Sequence, residues 1–163
     1  MKQLADRRRR DGQALVEFAL VFPVLILLLL GILDFGRAIY AYNTIADAAR
    51  DGARVAAVNQ IATSPAGDCT QTRPIEDPFN AHWSVKTCAA TSATALGIQT
   101  GAVTVSYTAP PGTTLTCTPV NVGCIANVTV DYVFNPITPI IGNIVGTIGM
   151  SSTSKVPVER VFP

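Results

Sequence analysis

Residues 14–33 read ALVEFALVFPVLILLLLGIL, twenty positions in which Glu17 is the only charged side chain. At about 1.5 Å per residue this run, as a helix, spans about 30 Å, the thickness of a bilayer's hydrocarbon core. Lys2 and Arg7–Arg10 come before it, and Asp34 and Arg37 are the first charges after it. Basic flanks stay on the cytoplasmic side, so the N-terminus is expected in the cytoplasm and everything from about Asp34 onward across the membrane. A cleaved signal peptide shares the basic start and the apolar centre. The length of the run, the carboxylate inside it and the lack of a clean small-x-small cleavage site following Leu33 count against that alternative. Beside a membrane span, the arginine block reads as a topology signal rather than a nuclear or nucleic-acid one.

Helical character continues beyond the span. Ile32, Phe35, Ile39, Ala46, Ala49, Ala53 and Ala56 recur in steps of three, four and seven, which predicts one stripe packed by another element. Asp34/Arg37, Asp47/Arg50 and Asp51/Arg54 place opposite charges three apart. The reading is one helix from about Gln13 to Val58, with its first half in lipid and its second half under a soluble domain. Residues 59–78 are punctuated by Pro65, Gly67, Pro74 and Pro78 and read as a loop. Phe79–Leu96 reads as a second helix ended by Gly97.

Strand patterning follows. Val103, Val105 and Tyr107 alternate with Thr104, Ser106 and Thr108, and Val128, Val130, Tyr132 and Phe134 alternate with Thr129, Asp131 and Val133. A short strand is expected at Thr114–Thr118 and another over Met150–Val161, where Pro157 marks an edge. The connections are too short for helical crossovers, so pairing should be antiparallel. Ile137–Met150 is too short and too rich in Pro and Gly to cross a membrane, and reads as a short amphipathic helix on the sheet or on the membrane surface. The expected fold class is therefore α+β: a long N-terminal transmembrane and spine helix, then a small extracytoplasmic domain with an antiparallel sheet. The segments are 1–12, a basic cytoplasmic leader; 13–58, the helix; and 59–163, the domain.

Composition narrows the function. Of 163 residues 48% are hydrophobic and 14% charged, with a formal net charge of +1, which leaves no nucleic-acid surface outside the arginine block. Cys69, Cys88, Cys117 and Cys124 all follow the span, in the part expected outside the cytoplasm, where disulfides persist. Four cysteines allow three connectivities. Cys117–Cys124 and Cys69–Cys88 are favoured because each closes a local loop, with free buried thiols as the alternative. No C-x-x-C pair occurs and His82 is the single histidine, so neither a metal site nor a cofactor is expected. His82 has no obvious nucleophile beside it, and no small-molecule substrate is evident. The expectation is a protein that is not an enzyme.

The remaining chemical signal lies at the start of the span. Gly12 is followed by Gln13-Ala14-Leu15-Val16-Glu17-Phe18, so a carboxylate stands five residues beyond a glycine inside an apolar helix. Such a charge is costly in a membrane unless paired. If a peptidase cuts after Gly12, the new α-ammonium of Gln13 lies about one helical turn from Glu17 and supplies the cation. The alternative is that Glu17 reaches back to the cytoplasmic interface near Arg9 and Arg10.

DGQALVEFALVFPVLILLLLGILDFGRAIYAYNTIADAARDGARVAAV closely resembles the TadE-like family of the bacterial tight-adherence (Flp) pilus machinery. The resemblance rests on GQALVEFAL, Pro23, Leu33-Asp34-Phe35-Gly36-Arg37 and Ala48-Ala49-Arg50-Asp51-Gly52-Ala53-Arg54, and on the distal Phe134-Asn135-Pro136-Ile137-Thr138-Pro139-Ile140-Ile141. It implies a pilin-like fold, prepilin-type processing at Gly12–Gln13, and a role for Glu17 and Phe18 in assembly. It also implies the inner membrane as location, other pilin subunits and the assembly machinery as partners, and a prepilin peptidase as a further one. The length and the distal domain point to a minor pilin or pseudopilin. A permanently anchored extracytoplasmic binding module is the reading from a different class.

Overall fold

The computed structural model describes residues 2–58, 85–138, 142–143 and 146–159, with side chains from Gly12 onward. Helix α1 runs over Lys2–Val58, 57 residues with Pro23 inside. It ends where the sequence reading placed its end but begins earlier than Gln13. The Lys, Gln, Leu, Ala and Arg residues ahead of Gly12 are strong helix formers with no breaker among them. The chain divides into two compact units, one joining residues 1–38 to 135–147, the other joining 39–134 to 148–163.

In the first unit the apolar side chains of α1 from Leu15 to Leu33 are largely exposed, and none of the most apolar stretch is buried within the protein. By length and composition the helix can cross a membrane. Asp34, directly after this run, is buried. Gly142 and Asn143 are helical, and the Gly142 N–H donates to the Thr138 carbonyl at 2.8 Å.

The second unit is built on the last third of α1. Helix α2 covers Val85–Ser92, and 3-10 turns follow at Thr94–Leu96 and Thr100–Ala102. Three strands, β1 (Val103–Thr108), β2 (Ile125–Phe134) and β3 (Ile148–Pro157), pair in the order β1-β2-β3, antiparallel throughout. The register sets Val103 against Val130 and Phe134 against Ile148. Ala126, Val128 and Val130 of β2 and Val103 of β1 thus share one face. They form a single core with Ile45, Ala48, Ala49, Ala53 and Ala56 of α1 and Val85, Ala89 and Ala90 of α2. The opposite face carries hydroxyls, with the Thr129 and Thr153 side chains hydrogen-bonded at 2.8 Å.

Gly52 lets α1 sit this close. A Cβ built there would stand 3.0 Å from both the Ala89 Cβ and the Val128 Cγ1. A residue that weakens the helix in isolation is what allows it to nest against α2 and β2. Ser92 of α2 donates to the Asp51 carboxylate at 2.9 Å, and the Glu159 N–H donates to the Ala57 carbonyl at 2.9 Å near the end of α1. The three (i, i+3) ion pairs on α1 are formed as their spacing predicts.

Several expectations need correction. The helical stripe does not hold as one face: Ala49, Ala53 and Ala56 are buried, whereas Ile32, Phe35 and Ile39 are exposed. At about 100° per residue the buried row Asp34, Ala41, Ile45, Ala48 and Gly52 lies roughly 140° around the helix from the Ile32–Ile39 row, so the exposed apolar row is not the packed one. The second helix occupies only Val85–Ser92 among the described residues, with residues 79–84 outside them. Gly97 does end the segment, at φ +66 in the left-handed region, its N–H bonded to the Thr94 carbonyl. Thr114–Thr118 is irregular rather than a strand. The flanking Pro110, Pro111 and Pro119 remove ladder donors, and the Cys117–Cys124 bridge turns the chain back to the start of β2. Ile148–Met150 belong to β3 and not to a helix. Strand β3 is an edge, as Pro157 indicated, but starts at Ile148 rather than Met150. Residues 59–78 and 160–161, with His82 and Cys69, lie outside the described residues, as do 139–141 and 144–145 of the proposed amphipathic segment.

Candidate functional site

Gly12, Gln13, Glu17 and Phe18 follow one another on a continuous stretch of α1, and all four side-chain positions are exposed. Gln13 and Glu17 are four apart, so they lie on one face within a turn of each other. The Phe18 ring lies 5.3 Å from that of Phe22, tilted by 31°, one turn further along. Among the described residues Glu17 has no ion-pair partner, in contrast to Asp34, Asp47 and Asp51.

The residue that sequence reasoning missed is Asp34. Its side chain is 7% exposed, although its neighbours Leu33 and Phe35 are 63% and 68% exposed. One carboxylate oxygen accepts from the Ile137 N–H at 2.9 Å and the other from the Thr138 N–H at 2.7 Å. The Arg37 guanidinium approaches at 3.3 Å. Thr138 is itself buried, and its hydroxyl lies close to the carboxylate without completing a hydrogen bond of good geometry. The nearby hydroxyl, the two amides and Arg37 hold the Asp34 carboxyl down at about 2, against the opposing pull of burial. The carboxylate thereby fastens two backbone amides a hundred residues away in sequence. Both partners fall in segments already singled out, Leu33–Arg37 and Phe134–Ile141, but nothing in either segment tied one to the other.

Cys117 and Cys124 are bridged, with Cα atoms 5.9 Å apart. Cys88, buried on α2, is also disulfide-bonded. On β1 the Tyr107 hydroxyl is buried without a hydrogen-bond partner among the described residues, and burial pushes its pKa up. A shallow groove is lined by Leu96, Ile98, Tyr132 and Met150, with Asp131 its single charged residue. Among the described residues no group of three or more His, Cys, Asp or Glu side chains is placed to hold a metal ion.

A long apolar helix that continues as the spine of a disulfide-bonded antiparallel sheet defines an α+β protein with a membrane-spanning-capable N-terminus. Residues 12–54, which include Glu17, Asp34 and Gly52, match the family model described as TadE-like protein, in agreement with the resemblance seen in the sequence. No curated protein and no solved structure matches the chain.

Proposed function

We propose that the chain is a membrane-anchored, minor-pilin-like component of a tight-adherence pilus assembly or secretion system, structural rather than catalytic. The observation that carries this reading is the TadE-like match over 12–54, laid on a helix whose apolar part is bare and whose remainder supports a sheet. In this reading residues 14–33 cross the inner membrane once, residues 1–12 stay in the cytoplasm, and the domain that follows the helix lies outside.

Glu17 is the assembly residue of this reading. Held in the bilayer with no ion-pair partner among the described residues, it is satisfied by the α-ammonium of Gln13 after cleavage at Gly12, or by a neighbouring pilin subunit as it docks. Prepilin peptidase is a partner only in the first case. The Gly12–Gln13 bond is inside α1, so cleavage requires local unwinding, which a glycine makes easier.

Glu17→Ala tests the function. The variant should accumulate in the membrane at parental level, because a costly charge is removed. It should fail to support pilus assembly or to co-purify with pilin partners. Glu17→Asp should retain part of the activity. Assembly at the parental level by Glu17→Ala would refute the role given to this carboxylate. Intact mass from the native host reports cleavage separately.

A further inference from the structure

Asp34 is the first residue past the apolar run, and its carboxylate holds the amides of Ile137 and Thr138 at 2.9 and 2.7 Å. Covalent and hydrogen-bond geometry together therefore put Ile137 and Thr138, on the connection between β2 and β3, where α1 leaves the apolar run. This connection is chemically unusual. From Tyr132 to Ser154 the chain has no Asp, Glu, Lys, Arg or His. Ile137, beside the carboxylate, is 64% exposed and Phe35 is 68% exposed. Asp34 is turned inward between exposed apolar neighbours, its carboxylate bound to backbone and paired with the half-exposed Arg37.

We propose that Ile137 and Thr138, on the connection between β2 and β3, form a second membrane contact, seated in the bilayer interface and held there by Asp34. The inference rests on residues 14–33 spanning the membrane. Its occupant is lipid: the patch is continuous with the span and presents the apolar side chains of Phe35 and Ile137. Backbone N–H groups that dip below the headgroups lose water as hydrogen-bond partner, so they need a protein acceptor there. Asp34 supplies one for Ile137 and one for Thr138. Thr138 in turn accepts from Gly142, and Gly142 from Gly146 at 3.1 Å. The carboxylate is thus the head of a chain of satisfied backbone groups, and a positioning residue for the contact.

The test uses the full chain in phosphatidylcholine vesicles, with an environment-sensitive fluorophore on Ile137→Cys or, separately, on Leu25→Cys. Lipids spin-labelled at shallow or deep positions and aqueous iodide serve as quenchers. The probe at 137 should be quenched about two-fold more by the shallow label than by the deep one, as a group about 5–10 Å into the headgroup–acyl boundary requires. It should resist iodide, and the probe at 25 should favour the deep label. With Asp34→Ala added, the probe at 137 should become open to iodide while that at 25 is unchanged.

Iodide quenching at 137 with lipid quenching at 25 would overturn the inference and leave the span intact. Lipid quenching at neither position would remove the span and the inference together. Protection from both quenchers at 137, with cross-linking between copies, would assign the patch to a second chain instead. Unchanged lipid quenching at 137 in the Asp34→Ala background would remove Asp34 as the holding group.

Discussion

Asp34 and Glu17 occupy the same helix, seventeen residues apart, yet their surroundings differ. Glu17 has no ion-pair partner among the described residues, whereas Asp34 has two amides and an arginine. A carboxyl with a lower pKa in the folded protein stabilises the folded form once it is ionised. For Asp34 that contribution is complete above an ordinary value of 3.8 and disappears as the pH falls towards about 2. The attachment of Ile137 and Thr138 to α1 should therefore hold throughout the neutral and mildly acidic range and loosen only in strong acid. Followed by NMR on the full chain in micelles, the Thr138 amide should titrate with a midpoint at about 2. Asp34→Asn should abolish that titration and speed exchange of the same amide at neutral pH. A midpoint at the ordinary aspartate value would show that the two amides do not bind the charged form.

At the scale of elements, the close approach of α1 to α2 and β2 is what the second unit depends on. Gly52→Val adds three carbons where a single Cβ already meets two side chains at 3.0 Å. The loss should be about 1–3 kcal/mol, as typical of overpacking, read as a lower denaturation midpoint with an unchanged slope. No change would mean that the helix can move away without penalty. The Cys117–Cys124 bridge closes a separation of seven residues, for which loop entropy gives about 2–3 kcal/mol. The double variant Cys117→Ser/Cys124→Ser should lose about that much in chemical denaturation, and the segment 114–124 should become the first one open to proteolysis. These two sites also show which parts of the fold sequence could reveal. Val103–Thr108 and Val128–Phe134 were legible because one face is buried and the other carries hydroxyls. Leu115-Thr116-Cys117-Thr118 alternates equally well but is irregular, because prolines and a covalent crosslink govern it. The Ile32–Ile39 row was legible as apolar, but apolarity does not distinguish a face turned to the domain from one left exposed. Helix propensity alone marks Gly52 as a weak point of the helix, since sequence carries no sign of a neighbour's Cβ. The Asp34 contact was hidden for a related reason: its partners are backbone amides, and every non-proline residue has one.

At the scale of the molecule, the proposed orientation has one cause, the asymmetry of basic residues about the apolar run. Lys2 and Arg7–Arg10 lie before it, while Asp34 and Arg37 after it offset each other. Arg37 is further committed to the Asp34 carboxylate at 3.3 Å, so it competes weakly as a cytoplasmic anchor. The N-terminus should then remain in the cytoplasm and Pro163 should lie outside it. The bridged Cys117–Cys124 pair fits this arrangement, since such bonds persist in oxidising compartments. An enzyme reporter that folds only outside the cytoplasm should be active when fused after Pro163 and inactive when fused before Met1. Replacing Arg7–Arg10 with neutral residues should leave insertion intact but produce a mixed population, because the apolar run drives entry and the basic block selects direction. In that population the fraction of Cys117–Cys124 bridge recovered by non-reducing peptide mapping should fall in step with reporter activity. Reporter activity only at the N-terminus would reverse the orientation. Full bridge formation in chains whose reporter is inactive would break the link between topology and oxidation.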